Sequence, residues 1–248
     1  MRHQRMAAVL GAFALGATGL TATASATAAP TADAGTSAST TSTTGPETSY
    51  VVLADRGGSA SDLADRLKAP IAHTSRAKDF VEYDNPFNMG MTGMLGIESG
   101  FHMMTECDTL LLLGADFAWA QFYPQKATLI QVDRDGSHLG RRHPIDLGVV
   151  GDVIPTLEAL LPLLEAREER SFLDECLEHR ERSLRTLEKE EQAGKGELIH
   201  PQHLVSLLDQ HASEDALFTA DGGSAMVWLL RHIHSNGKRR TLTSLVHG

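Results

Sequence analysis

The stretch TLLLLGADFAWAQFYPQKATLIQVD, residues 109–133, decides the fold. It contains two short apolar runs, each closed by glycine or aspartate, with an aromatic and polar segment between them. Leu110 to Leu113 follow one another with no polar alternation, as expected of a strand buried on both faces in a parallel sheet. TLIQVD, residues 128–133, repeats the pattern and ends on Asp133. Outward from this pair short apolar runs recur as YVVLAD (50–55), API (69–71) and LGVVGD (147–152), most of them with glycine or aspartate at the C-terminal end. Between the runs lie helical candidates, Ser59 to Leu67, Thr92 to Met104 and Pro155 to Leu164. Asp152 is placed to be the N-cap of the last, with Pro155 in its first turn. Strands alternating with such crossovers predict an α/β layer fold, with ligands at the C-terminal ends of the strands.

A charged helix follows. Ser171 with Asp174 three residues later resembles a capping box, and Leu173, Leu177, Leu184 and Leu187 share one face. Strict heptads are lacking, so this reads as a connecting helix rather than a coiled coil. QAGKGE (192–197) breaks it. The pattern then resumes with a helix from Pro201 to His211, a strand ALFTAD (216–221), a helix from Ser224 to His234 and a strand TLTSLV (241–246). Two parallel strands leave apolar faces uncovered, and this second unit is expected to be the opening of a longer domain.

The beginning of the chain is of another kind. Arg2 and Arg5 precede fifteen mostly apolar residues, Met6 to Leu20, and then small residues suited to cleavage, which is the pattern of a Sec-type signal. From Thr31 to Ser49, eleven of nineteen residues are Ser or Thr, a composition that cannot bury enough surface to offset the entropy of ordering. The expected division is therefore a leader over 1–28, a disordered linker over 29–49, one domain over 50–193 that ends in the connecting helix, and a second unit over 198–248. A formal charge of −10 argues against a nucleic-acid partner, because phosphate binding needs clustered cations and Lys238-Arg239-Arg240 is too short a run. Cys107 and Cys176 have no metal spacing and read as two buried free thiols. The histidines, among them His102, His138, His143, His200, His203, His211, His232, His234 and His247, match no zinc pattern, so no metal ligand is expected.

Three turns at or near strand ends could carry chemistry: Gly90-Met91-Thr92-Gly93, Gly114-Ala115-Asp116-Phe117-Ala118, and Val132-Asp133-Arg134-Asp135-Gly136-Ser137. Glycine at a helix start lets backbone N–H groups point at a phosphate, and the helix terminus adds partial positive charge. Asp133 closes its strand where a ribose hydroxyl could be bound. No GxGxxG fingerprint is present, and Gly90, Gly93, Gly96 and Gly100 could equally serve close packing. Asp221-Gly222-Gly223-Ser224 is a similar turn in the second unit, suited to a diphosphate or to an ordinary left-handed turn with a serine N-cap.

The runs VEYDNPFNMGMTGMLGIESGFHMM, CDTLLLLGADFAWAQFYP, LIQVDRDGSHLGRRHPIDLGVVGD, IHPQHL, FTADGG, NGKRR and the terminal HG occur in that order over about 50–248. Together they resemble the thiamine-diphosphate-dependent pyruvate oxidase and quinone-dependent pyruvate dehydrogenase family. The resemblance implies a Rossmann-like central FAD-binding domain followed by the first part of a diphosphate-binding domain. It implies that Gly90 to Gly93, Gly114 to Ala118 and Val132 to Ser137 line FAD. Asp221, Gly223 and Ser224 would lie beside thiamine diphosphate with its Mg²⁺, and Gly248 would open another turn toward it, with His247 alongside. Ala118 stands where the family has proline, and Gly223-Ser224 where a threonine is common. Pyruvate, a quinone and a homotetrameric assembly are the implied partners.

The same resemblance sets a limit. The family's pyrimidine-binding domain with its activating glutamate has no counterpart in residues 1–49, and the later Mg²⁺-binding motif would follow Gly248. The chain alone is expected not to decarboxylate pyruvate. A non-catalytic nucleotide-binding or interaction module, exported by its leader, and an acetolactate synthase-like fragment are the other readings. Location is divided between the family's cytoplasm and the export-type leader, and no membrane association is evident.

Overall fold

The structure is a computed structural model that describes residues 50–54, 60–192 and 198–244. The leader, the Ser/Thr-rich linker, His247 and Gly248 lie outside the described residues. All described residues belong to one unit, Ser49–Gly248.

Six parallel strands form the main sheet: β1 (Tyr50–Ala54), β2 (Ile71–His73), β3 (Asn88–Met91), β4 (Thr109–Leu113), β5 (Thr128–Asp133) and β6 (Leu147–Val150). Their spatial order is β3-β2-β1-β4-β5-β6, so the winding reverses between β1 and β4, as in a doubly wound dinucleotide-binding fold. Helices α1 (Ala60–Leu67), α2 (Lys78–Val81) and α3 (Glu98–Glu106) lie in the crossovers from β1 to β2, β2 to β3 and β3 to β4, while α4 (Val153–Leu160) follows β6. The expected parallel α/β sheet is what forms. Leu110 to Leu113 are all almost fully buried, and β4 pairs with β5 in register from Thr109 opposite Thr128 to Leu113 opposite Val132.

Strand β3 departs from the expectation, because Gly90 and Met91 are not in a turn but end a strand, and no helix spans Thr92 to Met104. Ile71 pairs with Asn88 and His73 with Met91, so β3 fits three steps against two of β2. Gly90 absorbs the extra residue at φ +87°, and Asn88 Oδ1 accepts its N–H at 2.8 Å. A tight turn then leads into α3, which starts only at Glu98. Gly96 and Gly100 are packing positions: an added Cβ would lie 2.4 Å and 2.5 Å from Met91 O.

Helix α5 (Ser171–Gln192) lies against α3, burying Leu173 and Cys176 among Met103, Met104, Leu110 and Leu112. The expected capping box does not form. Ser171 is already helical, its N–H donates to Glu169 Oε1 at 2.5 Å, and the Asp174 carboxylate accepts from Arg170 Nε at 2.8 Å. Asp152 likewise caps α4 without its side chain; its carbonyl instead accepts from Thr156 Oγ1 at 2.7 Å. Cys107 and Cys176 are free and buried, and burial pushes both thiols up to about 12.

Beyond residue 198, α6 (Pro201–His211), β7 (Leu217–Ala220), α7 (Ser224–His232) and β8 (Arg240–Thr243) form a two-stranded parallel sheet with two helices. Met226, Leu229, Leu230 and Ile233 pack with Met91 of the first sheet. Leu217 and Leu242 remain exposed, as do Leu204, Leu207 and Leu208 of α6. The basic run is engaged internally. Lys238 pairs with Glu214 and Arg239 with Asp209, both at 2.7 Å, while Arg240 lies over the Phe80 ring. Among the described residues no helix is long and apolar enough to cross a membrane.

Candidate cofactor-binding edge

A parallel strand ends with its carbonyls spent and the chain turning, so residues just past each C-terminus are free to face a ligand. Gly90 to Gly93, Gly114 to Ala118 and Val132 to Ser137 all sit at this edge of the sheet. The first two are in contact, since a Cβ on Gly93 (φ +90°) would lie 2.7 Å from Trp119 Cδ1 and 3.0 Å from Phe117 Cε2. The second and third are tied by Gln131, whose buried amide donates to Ala115 O at 3.4 Å and His138 O at 3.3 Å and accepts from Gly140 N at 2.9 Å. That network explains how a glutamine is tolerated inside β5. Gly114 turns the chain out of β4 at φ +64°, and its N–H donates to Val132 O at 2.8 Å.

Many donors expected to face a phosphate already have acceptors within the protein. Gly90 donates to Asn88, Thr92 N to His73 O at 3.2 Å, Asp135 N to Asp133 Oδ1 and Ser137 N to Asp135 Oδ1, the last two at 2.9 Å. Asp133, buried, also holds His138 Nδ1 at 3.2 Å. Asp116 is exposed on one side and gripped by two cations. Arg142 donates to it from Nε and Nη2, each at 3.0 Å, and Arg141 donates from Nε at 3.3 Å. Burial alone would raise the Asp116 pKa, but the hydrogen bonds from Arg142 and Arg141 hold it down at about 2. Two guanidiniums beside the β4 and β5 loops therefore supply the positive charge that backbone groups do not. Arg134 and Gly136 are exposed on the β5 loop, while Ala118 is exposed on the β4 loop. Tyr123 braces the latter from within, donating from its hydroxyl to Phe117 O at 2.9 Å and stacking on His143 at 4.8 Å.

Beyond residue 198, Asp221, Gly222, Gly223 and Ser224 are exposed between β7 and α7. The serine N-cap does not form. Gly223 occupies that position, and its φ of +106° with ψ of −154° belongs to a region reserved for glycine rather than to the left-handed one. An added Cβ at Gly223 would meet nothing within 4 Å, so the start of α7 is open to an approaching anion. Met226, near the start of α7, packs with Met91, and a further contact between the two parts lies at the other end of the helix, about 10 Å along it. There Arg231 donates to Leu95 O at 3.0 Å and Gly96 O at 2.8 Å.

A buried polar cluster escaped the sequence reading. Lys78 and Glu82 form an ion pair under the sheet edge, and His73 Nε2 lies 3.1 Å from the other Glu82 oxygen. Burial raises the Glu82 pKa, yet Lys78 and then His73 outweigh it and bring the carboxyl down to about 2. Their i,i+4 spacing was the available signal, but it marks exposed helix pairs as often. Lys78 and Glu82, with Gly90, Met91, Arg180 and Arg231, line a cavity of about 60 Å³, far below the roughly 300–1,000 Å³ of ligand pockets. Sequence spacing also gave no sign that His102, Glu175 and His179 converge, their ligand atoms all within 4.8 Å of one another.

Comparison with known proteins agrees with this architecture. Residues 49–160 match the family model described as thiamine pyrophosphate enzyme, central domain. An uncharacterized 42.6 kDa protein of Pseudomonas amyloderamosa is 56% identical over 117 residues, covering 47% of this chain and 30% of that one. A putative thiamine pyrophosphate-containing protein, YdaP, of Bacillus subtilis is 32% identical over 199 residues, covering 78% and 34%. Pyruvate oxidase of Lactiplantibacillus plantarum is 25% identical over 191 residues, covering 76% and 32%. Several acetolactate synthase large subunits are 25–27% identical. The chain spans about a third of the length of the curated relatives it matches.

Proposed function

We propose that this chain is the FAD-carrying middle and the opening of the thiamine-diphosphate-binding part of an enzyme that oxidatively decarboxylates pyruvate and passes the electrons to a quinone. The observation that carries the reading is the convergence of the Gly93, Ala115 to Ala118 and Asp133 to Ser137 loops at the C-terminal edge of a doubly wound sheet, inside the matched central domain. FAD would be held there, with Arg141 and Arg142 turning from Asp116 to its diphosphate and Phe117 and Trp119 closing beside Gly93. The open start of α7 at Gly223 and Ser224 suits the diphosphate of the thiamine cofactor. When bound, that cofactor supplies the carbanion-stabilising chemistry and the flavin the redox step; this chain's residues bind and orient them, with Mg²⁺ completing the second site. Other parts of a homotetrameric assembly would be needed for turnover.

Adding FAD to the purified chain is expected to give flavin absorbance that co-elutes with protein and a higher melting temperature. The absence of both would refute the flavin site. Acetolactate synthase is the second reading, favoured by the number of relatives bearing that name at similar identity. Supplying the flanking domains of a full-length relative and assaying pyruvate turnover separates the two, because the oxidase reading requires acetate and the synthase reading acetolactate. An FAD-binding chain that supports neither product would leave a nucleotide-binding module.

A further inference from the structure

We propose that His102, Glu175 and His179 form a site for a divalent transition-metal cation of the Zn²⁺ type, clamping α3 to α5. Two imidazoles and a carboxylate are a donor set that such cations take. Glu175 and His179 are one turn apart on α5 and so share a face, which α5 turns toward His102 on α3. One ligand atom from each of the three lies within 4.8 Å of the others. His102 Nε2 is already 3.2 Å from Glu175 Oε1, and the two imidazole rings stack with centroids 3.6 Å apart. Glu98, one turn before His102 on α3, brings a further oxygen to 4.0 Å from His179 Nδ1. Each helix thus contributes a glutamate and a histidine at i and i+4, facing each other.

A second observation points to a ligand rather than to ordinary packing. His179 Nδ1 is buried and has no hydrogen-bond partner among the described residues. The neutral imidazole, with a free ring nitrogen, is the form that ligates a metal. Two ligands of a tetrahedral zinc ion lie about 3.3 Å apart, given zinc–nitrogen bonds near 2 Å. Seating the ion requires the exposed Glu175 side chain to shift and the stacked rings to turn, because an imidazole nitrogen's lone pair lies in the plane of its ring.

The test uses the full chain after treatment with a chelator. Titration with Zn²⁺ by calorimetry is expected to show saturable binding at one site, Co²⁺ to give tetrahedral or five-coordinate visible bands, and either ion to raise the melting temperature. Glu175→Gln, at an exposed position, is expected to keep the far-ultraviolet circular dichroism spectrum and to bind at least about tenfold more weakly, since even groups outside the ligand shell have effects of that size. The double variant His102→Ala, His179→Ala is expected to lose the Co²⁺ bands, and His211→Ala, away from the cluster, to keep them. Absence of saturable binding in the wild-type chain would overturn the proposal. So would unchanged binding in both the Glu175 variant and the double variant, or loss of the bands in His211→Ala.

Discussion

Glu82 shows how a single carboxylate can anchor a sheet edge. It is mostly buried with Lys78 and His73, and Ser235 adds a hydroxyl 3.3 Å away from the segment that precedes β8. Its folded pKa of about 2 lies below the ordinary 4.5, so the folded state holds the proton less tightly than the unfolded one. Stability from this group is therefore fully present above about pH 4.5 and is lost as pH falls toward 2, an effect on the order of 3 kcal/mol. Urea unfolding at a series of pH values is expected to show that slope, and Glu82→Gln is expected to flatten it. The substitution should also lower stability at neutral pH by roughly 3 kcal/mol or more, because Lys78 would stay buried without its counter-charge. An unchanged slope in the variant would place the acid sensitivity elsewhere. None of this was legible in the sequence, where a lysine and a glutamate four apart describe a solvated helix face as well as a buried pair. Spacing left Gly90, Gly93, Gly96 and Gly100 alike as candidates for close packing; the structure singles out Gly96 and Gly100, where Met91 O is the atom that the missing Cβ admits.

At the level of elements, reading succeeded where one physical signal dominated. β5 and α6 have the boundaries the residues suggested, because a short run around Leu129, Ile130 and Val132 closed by Asp133, and a proline at the first helical position, leave few alternatives. β3 was missed for the opposite reason. Asn88-Met89-Gly90-Met91 has no β-branched residue, and its glycine is a bulge that only pairing with β2 explains. The three loops at the strand ends were legible as a group, while their internal hydrogen bonds were not, since Asn88, Asp133 and Asp135 satisfy nearby N–H groups by geometry that spacing does not reveal. The turn from Thr92 to Ile97 is a particular case. It is held from outside by the Arg231 fork on two carbonyls. Arg231→Ala removes two charge-assisted hydrogen bonds and is expected to cost roughly 1–3 kcal/mol. Hydrogen exchange should locate the loss, with the amides of Gly96 and Ile97 exchanging faster and those of β5 unaffected. Uniform acceleration would mean that the fork supports the whole molecule rather than this turn.

For the molecule as a whole, the long helix α5 decides how the parts hold together. At 22 residues it is about 33 Å long. Its first half is buried against α3, its middle donates from Arg180 to Asn88 O and accepts Ser99 N–H on Ser183 Oγ at 3.1 Å, and its far end belongs to the second sheet's helices. There Glu191 reaches His232 Nδ1 at 2.8 Å and Ser206 Oγ at 2.9 Å, while its carbonyl receives His203 at 3.0 Å. Asp79 adds a separate seam, accepting from Thr241 N at 2.7 Å and Thr241 Oγ1 at 2.8 Å. The peptide link through residues 193–197 is thus only one of several ties, and the others are made by side chains already in place. A chain cut at Lys195 is expected to behave as a split protein, its two pieces eluting together in gel filtration and parting only in denaturant. If they separate in buffer, the covalent tether is essential; if they do not, the piece from residue 196 onward could be exchanged for that of a relative without rebuilding the sheet that precedes it.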